Sequence, residues 1–176
     1  GPGVSWHDFD RDGWEDLVVG ASRGHSLSVF HNDRAGGFEA IEGPSAGRDQ
    51  TSILGWRPSS KAPRFLIGFS NYEDGSEKGT AVGEVSVRDR QARPALTGLG
   101  SSLGPLAMSD VDLDGDLDLF VGSRVIPGRY PEAPSSFIYR NGKEGWYRDK
   151  QLSKPFEEVG LVKAAAEVPG RCRIRN

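Results

Sequence analysis

Two stretches of this chain crowd carboxylates at one fixed spacing. Residues 8–16 read DFDRDGWED and residues 110–118 read DVDLDGDLD, so Asp8, Asp10, Asp12 and Asp16 recur as Asp110, Asp112, Asp114 and Asp118, each 102 positions on. The first stretch carries −4 and the second −5, which leaves +6 for the rest of a chain whose net charge is −3. Acidity so confined marks a site rather than a solubility device. Carboxylates at this range repel one another, and a hard cation converts the repulsion into coordination. Calcium takes six to eight oxygens at about 2.3–2.6 Å in a flexible geometry. Carboxylates at loop positions 1, 3 and 5 can converge on such an ion, Gly13 and Gly115 at position 6 free the backbone to curl, and Asp16 and Asp118 at position 9 close the cage. Position 7 asks only for a backbone carbonyl, so Trp14 and Asp116 are interchangeable there. The predicted ligands are Asp8, Asp10, Asp12, Trp14 and Asp16 for one Ca2+ site and Asp110, Asp112, Asp114, Asp116 and Asp118 for a second.

The first six positions also occur in EF-hands, and the residues beyond them separate the two. An EF-hand needs Glu at position 12 and flanking helices, whereas position 12 here is Val19 or Val121, inside short apolar runs that read as strands. Magnesium fits less well, because it keeps its waters and takes fewer protein ligands. Calcium is expected mainly as a structural staple, since an ion bound only by the native state stabilises it. A ligand-bridging ion is the alternative and would need an open coordination position.

The elements that position these loops come from an internal repeat. The segments 4–20 and 106–122 align throughout, and a worn copy lies between them. Residues 53–68, ILGWRPSSKAPRFLIG, end like 17–20 and 119–122, with Trp56 placed opposite Trp6 and Met108, but their loop holds no carboxylate. Downstream, LSVFHNDRAGGFEAI (27–41) echoes SFIYRNGKEGWYRDK (136–150). Short β-rich runs at 17–19, 65–67, 82–87, 119–121 and 137–139 predict strands. The best helical window, 156–168, is stopped by Pro169-Gly170. With 24 Gly and 11 Pro, many short strands joined by turns are expected. The fold class is all-β, built as about three four-stranded antiparallel units of the β-propeller blade type. An open sandwich is the plainer alternative. The units are 1–50 with a calcium loop, 51–102 degenerate and without one, 103–160 with a calcium loop, and 161–176 as the start of a further repeat or an irregular tail.

The D-x-D-x-D-G-x-x-D-L core with its trailing V-G resembles the FG-GAP/VCBS repeats of integrin-α-like propellers, over nearly the whole chain. That resemblance implies a calcium-binding propeller of about seven blades, extracellular, serving adhesion or ligand binding. The loop of the middle copy and residues 171–176 depart from the pattern. Propellers need at least about four blades to close, so three units imply a piece of a longer repeat protein, whose first residues fall inside a repeat, a homo-oligomer that completes a ring, or an open three-unit stack whose edges are covered by loops.

Other chemistry finds little support. The G-x-S-x-G matches at 43–47 and 100–104 lack the strand-turn-helix that exposes a nucleophile. Cys172 is the single cysteine, so neither an intrachain disulfide nor a Cys-based zinc site is possible. His7, His25 and His31 have no i,i+4 pairing, and His7 is expected to face outward from a strand. The arginines at 88, 90 and 93 and at 171, 173 and 175 lack the stacking aromatics of a nucleic-acid surface. Trp6, Trp56 and Trp146 are expected in blade packing, and Trp14 exposed. No apolar run is long enough to span a membrane. The expectation is a non-enzymatic module at the cell surface, extracellular or periplasmic, that binds a protein or carbohydrate ligand. The alternatives are the scaffold of an extracellular polysaccharide-active enzyme and a pure structural spacer.

Overall fold

The computed structural model describes residues 2–58, 62–87 and 91–157. Twelve strands form three four-stranded antiparallel sheets, each ordered as the chain runs. The first comprises β1 (Val4–His7), β2 (Asp16–Val19), β3 (Ser26–Asn32) and β4 (Phe38–Ser45). The second comprises β5 (Gln50–Trp56), β6 (Arg64–Phe69), β7 (Thr80–Ser86) and β8 (Gln91–Thr97). The third comprises β9 (Ser102–Ser109), β10 (Asp118–Val125), β11 (Phe137–Gly142) and β12 (Gly145–Arg148). The all-β class and the four-stranded antiparallel unit are thus as the short apolar runs predict. The prolines inside strands, Pro44, Pro94 and Pro105, all fall on edge strands, where one side of the backbone needs no ladder donor. A further repeat at 161–176, the helical window beyond residue 157 and the arginines at 88 and 90 lie outside the described residues.

The sheets stack face to face around two apolar layers, and strand periodicity assigns each residue to its layer. On β6, Phe65 and Ile67 join Val18, Val29 and Val85 between the first and second sheets. Leu66 points the other way and joins Leu119, Val121 and Leu103 between the second and third. Phe65, Leu66 and Ile67 are wholly buried, each worth about 1.5–3 kcal/mol. The second sheet therefore gives its 65/67 face to its predecessor, the first sheet, and its 66 face to its successor, the third. The first sheet meets the second through the equivalent of position 66 (Val18), and the third meets it through the equivalents of 65/67 (Leu119 and Val121). The second sheet has both faces covered, which is why β6 reads as a continuous apolar run rather than an alternating one.

Register corrects two sequence expectations. Trp6 pairs with Leu17 and Met108 with Leu119, but the partner of Phe65 is Gly55, while Trp56 pairs with Arg64. The middle loop is one residue shorter, so Trp56 occupies the register of His7, on the opposite face from Trp6. Trp56 and Trp146 pack together in the apolar layer between the second and third sheets, with ring centroids 5.4 Å apart. Trp6 does not: it lies on the predecessor face of the first sheet, 56% exposed, against Phe38. His7 faces inward rather than outward. Its ring meets Phe65 edge-on at 5.6 Å and fills the space above Gly55, where a Cβ would lie 2.3 Å from the imidazole Cγ. His7 Nε2 is buried without a partner among the described residues, and burial lowers the His7 pKa.

A short helix, α1 (Lys150–Ser153), and a 3-10 turn (Lys154–Phe156) follow the third sheet. Asp149 caps the helix by accepting the Gln151 and Leu152 N–H groups, both at 2.9 Å. Phe156 then sets its ring edge-on against Phe120, on the successor face of the third sheet. In the second sheet, Arg48 donates to Asp74 and to the carbonyls of Ser76 and Lys78, pinning the turn before β7.

Candidate metal centres

Each acidic loop joins the first strand of its sheet to the second, β1 to β2 and β9 to β10, so the two loops occupy register-equivalent places. Each curls around its own first aspartate. Asp8 Oδ1 accepts the N–H of Arg11 at 2.7 Å and of Asp12 at 3.1 Å, and its Oδ2 accepts that of Gly13 at 3.1 Å. In the other loop Asp110 Oδ2 accepts the Gly115 N–H at 3.0 Å. The curl needs left-handed backbone at positions 4 and 6, met by Arg11 (φ 69°) and Gly13 (φ 89°), and by Leu113 (φ 62°) and Gly115 (φ 93°). Glycine at position 6 is legible from sequence. The strained non-glycine residue at position 4 is not.

The ninth-position aspartates anchor the loops to the sheets. Asp16 and Asp118 are buried. Asp16 accepts the Asn32 N–H at 2.8 Å and the Phe9 N–H at 3.3 Å, and Asp118 accepts those of Asn141 and Val111, both at 3.1 Å. Burial pushes the Asp16 carboxyl upward, and the two N–H groups hold it back. A buried carboxylate with only neutral donors calls for a positive partner.

Carboxylate oxygens of Asp8, Asp10 and Asp16 lie within 4.8 Å of one another, and so do those of Asp110, Asp112 and Asp118. Positions 1, 3 and 9 therefore converge in both loops. Position 5 belongs to neither group, although Asp12 lies with Asp10 and His31 in another. Asp12 accepts the Trp14 N–H at 2.8 Å and an ion pair from Arg34 Nε at 2.6 Å, and the Trp14 bond, ahead of Arg34, holds its carboxyl below the usual range. Asp114 accepts the Asp116 N–H at 2.9 Å. Trp14 is 51% exposed, and the side chain of Asp116 is on the surface. The donor set suits a hard cation: all-oxygen, three convergent carboxylates, one of them buried. In the second loop Asp110 Oδ1 is a buried oxygen with no hydrogen-bond partner among the described residues.

Besides Arg34, two further basic partners escape a reading of the loops alone. His31 Nε2 lies 3.0 Å from Asp10 Oδ2, and Arg140 pairs with Asp112 while also holding Asp149 at 2.7 Å. Both come from the third strand of their sheets, at the same register: Leu17 pairs with Phe30 and Leu119 with Tyr139, each one residue before the basic side chain. The alignment of FHN with YRN carries this signal. His31 together with Asp10 and Asp12 forms a third potential ligand group, sharing two residues with the first loop. Comparison with protein-family models, with curated proteins and with solved structures finds no match to this chain.

Proposed function

We propose that this chain is a non-enzymatic, calcium-binding β-sheet repeat module of the propeller type, which displays a ligand-binding surface outside the cytoplasm. The observation that carries the reading is the duplicated three-carboxylate group: Asp8, Asp10 and Asp16 on one sheet, Asp110, Asp112 and Asp118 at the equivalent place on another. One acidic turn is a common surface feature. Two at matching register, each with a buried ninth-position aspartate, fit a repeated cation staple. Asp12 and Asp114 complete the sets once an ion replaces the basic partners, and Trp14 and Asp116 supply carbonyls. The ion's part is to tie the β1–β2 and β9–β10 loops to their sheets. The middle sheet needs no such staple, because its short loop spans the same gap and both its faces are covered. The constant assignment of predecessor and successor faces supports a propeller-like progression, with Val4, Trp6 and Phe38 as the face that a further sheet of this repeat would cover.

Calorimetric titration with calcium tests the reading, using the intact chain, Asp8→Asn and Asp110→Asn. Two sites are expected, each substitution removing one, with affinities in the range of about 10⁻⁴–10⁻³ M typical of extracellular modules and a melting temperature that rises with calcium. No heat and no thermal shift at millimolar calcium would overturn it.

A further inference from the structure

The end of the sheets remote from the acidic loops holds a second polar site. The glycine that ends each second strand's apolar run recurs as Gly20, Gly68 and Gly122, and the residues two positions on are Ser22, Ser70 and Arg124. All three line one cleft of about 460 Å³, together with Asp49, Gln50 and Thr51. Thr51 and Arg124 also line a neighbouring cleft of about 470 Å³, whose walls include Ser52, Gly104 and Pro105. Repeat-equivalent positions from three sheets thus converge on one mouth, and only the third supplies a cation.

The mouth is held rigidly by the backbone. Gly3 N–H donates to Gln50 O at 3.1 Å, Gln50 N–H to Ala21 O at 2.9 Å and Ser70 N–H to Asp49 O at 2.9 Å. Gln50 is itself buried and accepts the Ala21 N–H at 2.7 Å through its side chain. Asp49 accepts the Arg23 N–H at 2.9 Å. Arg124 differs from Arg48, Arg64 and Arg140, each of which is committed to a carboxylate. Its side chain is exposed and makes no ion pair or hydrogen bond among the described residues.

We infer that this mouth binds a carboxylate-bearing sugar, a uronic acid residue of an acidic carbohydrate, with the carboxylate on Arg124 and ring hydroxyls on Ser22, Asp49 and Thr51. A guanidinium fork matches a planar carboxylate in two parallel hydrogen bonds. The nearby Asp49 disfavours a doubly charged phosphate but accepts from a hydroxyl, so the fit is a singly charged group carrying several hydroxyls. The cleft of Ser22, Asp49 and Ser70 is lined mostly by small and polar side chains, whereas its neighbour adds Val4, Ile53 and Leu103, so the sugar is placed in the first cleft and a peptide carboxylate is run as the competing ligand. The volume falls in the range of small-ligand sites, about 300–1,000 Å³. The inference rests on the proposed binding role and names its ligand class.

The test is a ¹H–¹⁵N titration of the full, calcium-loaded chain with trigalacturonate, with neutral galactotriose, inorganic phosphate and a short peptide carboxylate run in parallel. Trigalacturonate is expected to shift the Gly20 and Thr51 amides and the Arg124 Nε resonance. Arg124→Ala should weaken binding about tenfold or more without moving the melting temperature, and Arg124→Lys should restore part of it. Equal or tighter binding of galactotriose, phosphate or peptide overturns the assignment, as does uronate binding indifferent to Arg124→Ala, or no response to uronate. The calcium reading stands or falls separately, because its loops lie at the other end of the sheets. Calcium heats without a uronate response defeat this inference alone, and uronate binding without calcium heats supports it while defeating the calcium reading.

Discussion

Gly55 is the residue on which the contact between the first two sheets turns. It faces the imidazole of His7, and a β-carbon there would meet the ring Cγ at 2.3 Å, Cβ at 2.6 Å and Nδ1 at 2.6 Å. The ring has little room to retreat, since Phe65 stands edge-on beside it. Gly55→Ala is therefore expected to destabilise by about 1–3 kcal/mol, read as a lower urea midpoint at unchanged slope. The double substitution Gly55→Ala with His7→Gly should cost clearly less than the two single losses added together, because removing the His7 Cβ along with its ring vacates the space the methyl fills. Failure of the pair to compensate would mean that the methyl is accommodated elsewhere. His7 illustrates how little of an inter-sheet contact sequence alone reveals. Adjacent to Asp8 and polar, it reads as a surface residue, yet its register puts it on the inner face.

Legibility at the level of elements obeys the same physics. The apolar runs at 65–67 and 119–121 announce strands because β-rich residues bounded by glycines and turns have few other uses. The carboxylate spacing announces the loops because positions 1, 3 and 9 act within a single turn of chain. The partners His31 and Arg140 are harder to find, since they reach the loops through strand pairing and not through proximity in sequence. The one-residue difference in the middle loop is harder still, because the tryptophans invite alignment and only register defeats it. Helix α1 is four residues long and owes its existence to the Asp149 cap, too short a signal for periodicity to detect. That cap and the Arg48 clamp are both sensitive to pH. The N–H of Ser76, then Arg48, holds the Asp74 carboxyl below its usual range; the N–H of Leu152, then Arg140, does the same for Asp149. A carboxyl lowered on folding adds stability above its unfolded value, and that stability is lost as pH falls through the folded value. Hydrogen-exchange protection at Ser76 and Leu152, corrected for intrinsic rates, should therefore fall as pH drops below about 4, ahead of protection at Leu66 in the core. Simultaneous loss at all three would show that neither turn opens on its own.

At the scale of the whole molecule, the three sheets progress in one direction. At both interfaces a 66-type face meets the 65/67-type face of the next sheet, so the two outer faces of the stack are of opposite type. The leading end shows Val4 and Trp6, both 56% exposed, and Phe38, 49% exposed. On the trailing face, among the described residues, Phe156 meets Phe120. An interface between unlike surfaces has no intrinsic stopping point when its operation does not close, and it then yields open polymers. On that reasoning we predict that the turn bearing Phe156 caps growth, its ring lying on the face that another copy would use. Phe156→Ser should remove the cap, giving concentration-dependent higher-order species by sedimentation velocity, and Trp6→Ser in the same chain should suppress them. A Phe156→Ser variant that sediments like the parent at every concentration would mean that the ring only packs the turn. If the cap holds, a single aromatic side chain makes the difference between a module of fixed size and a fibre.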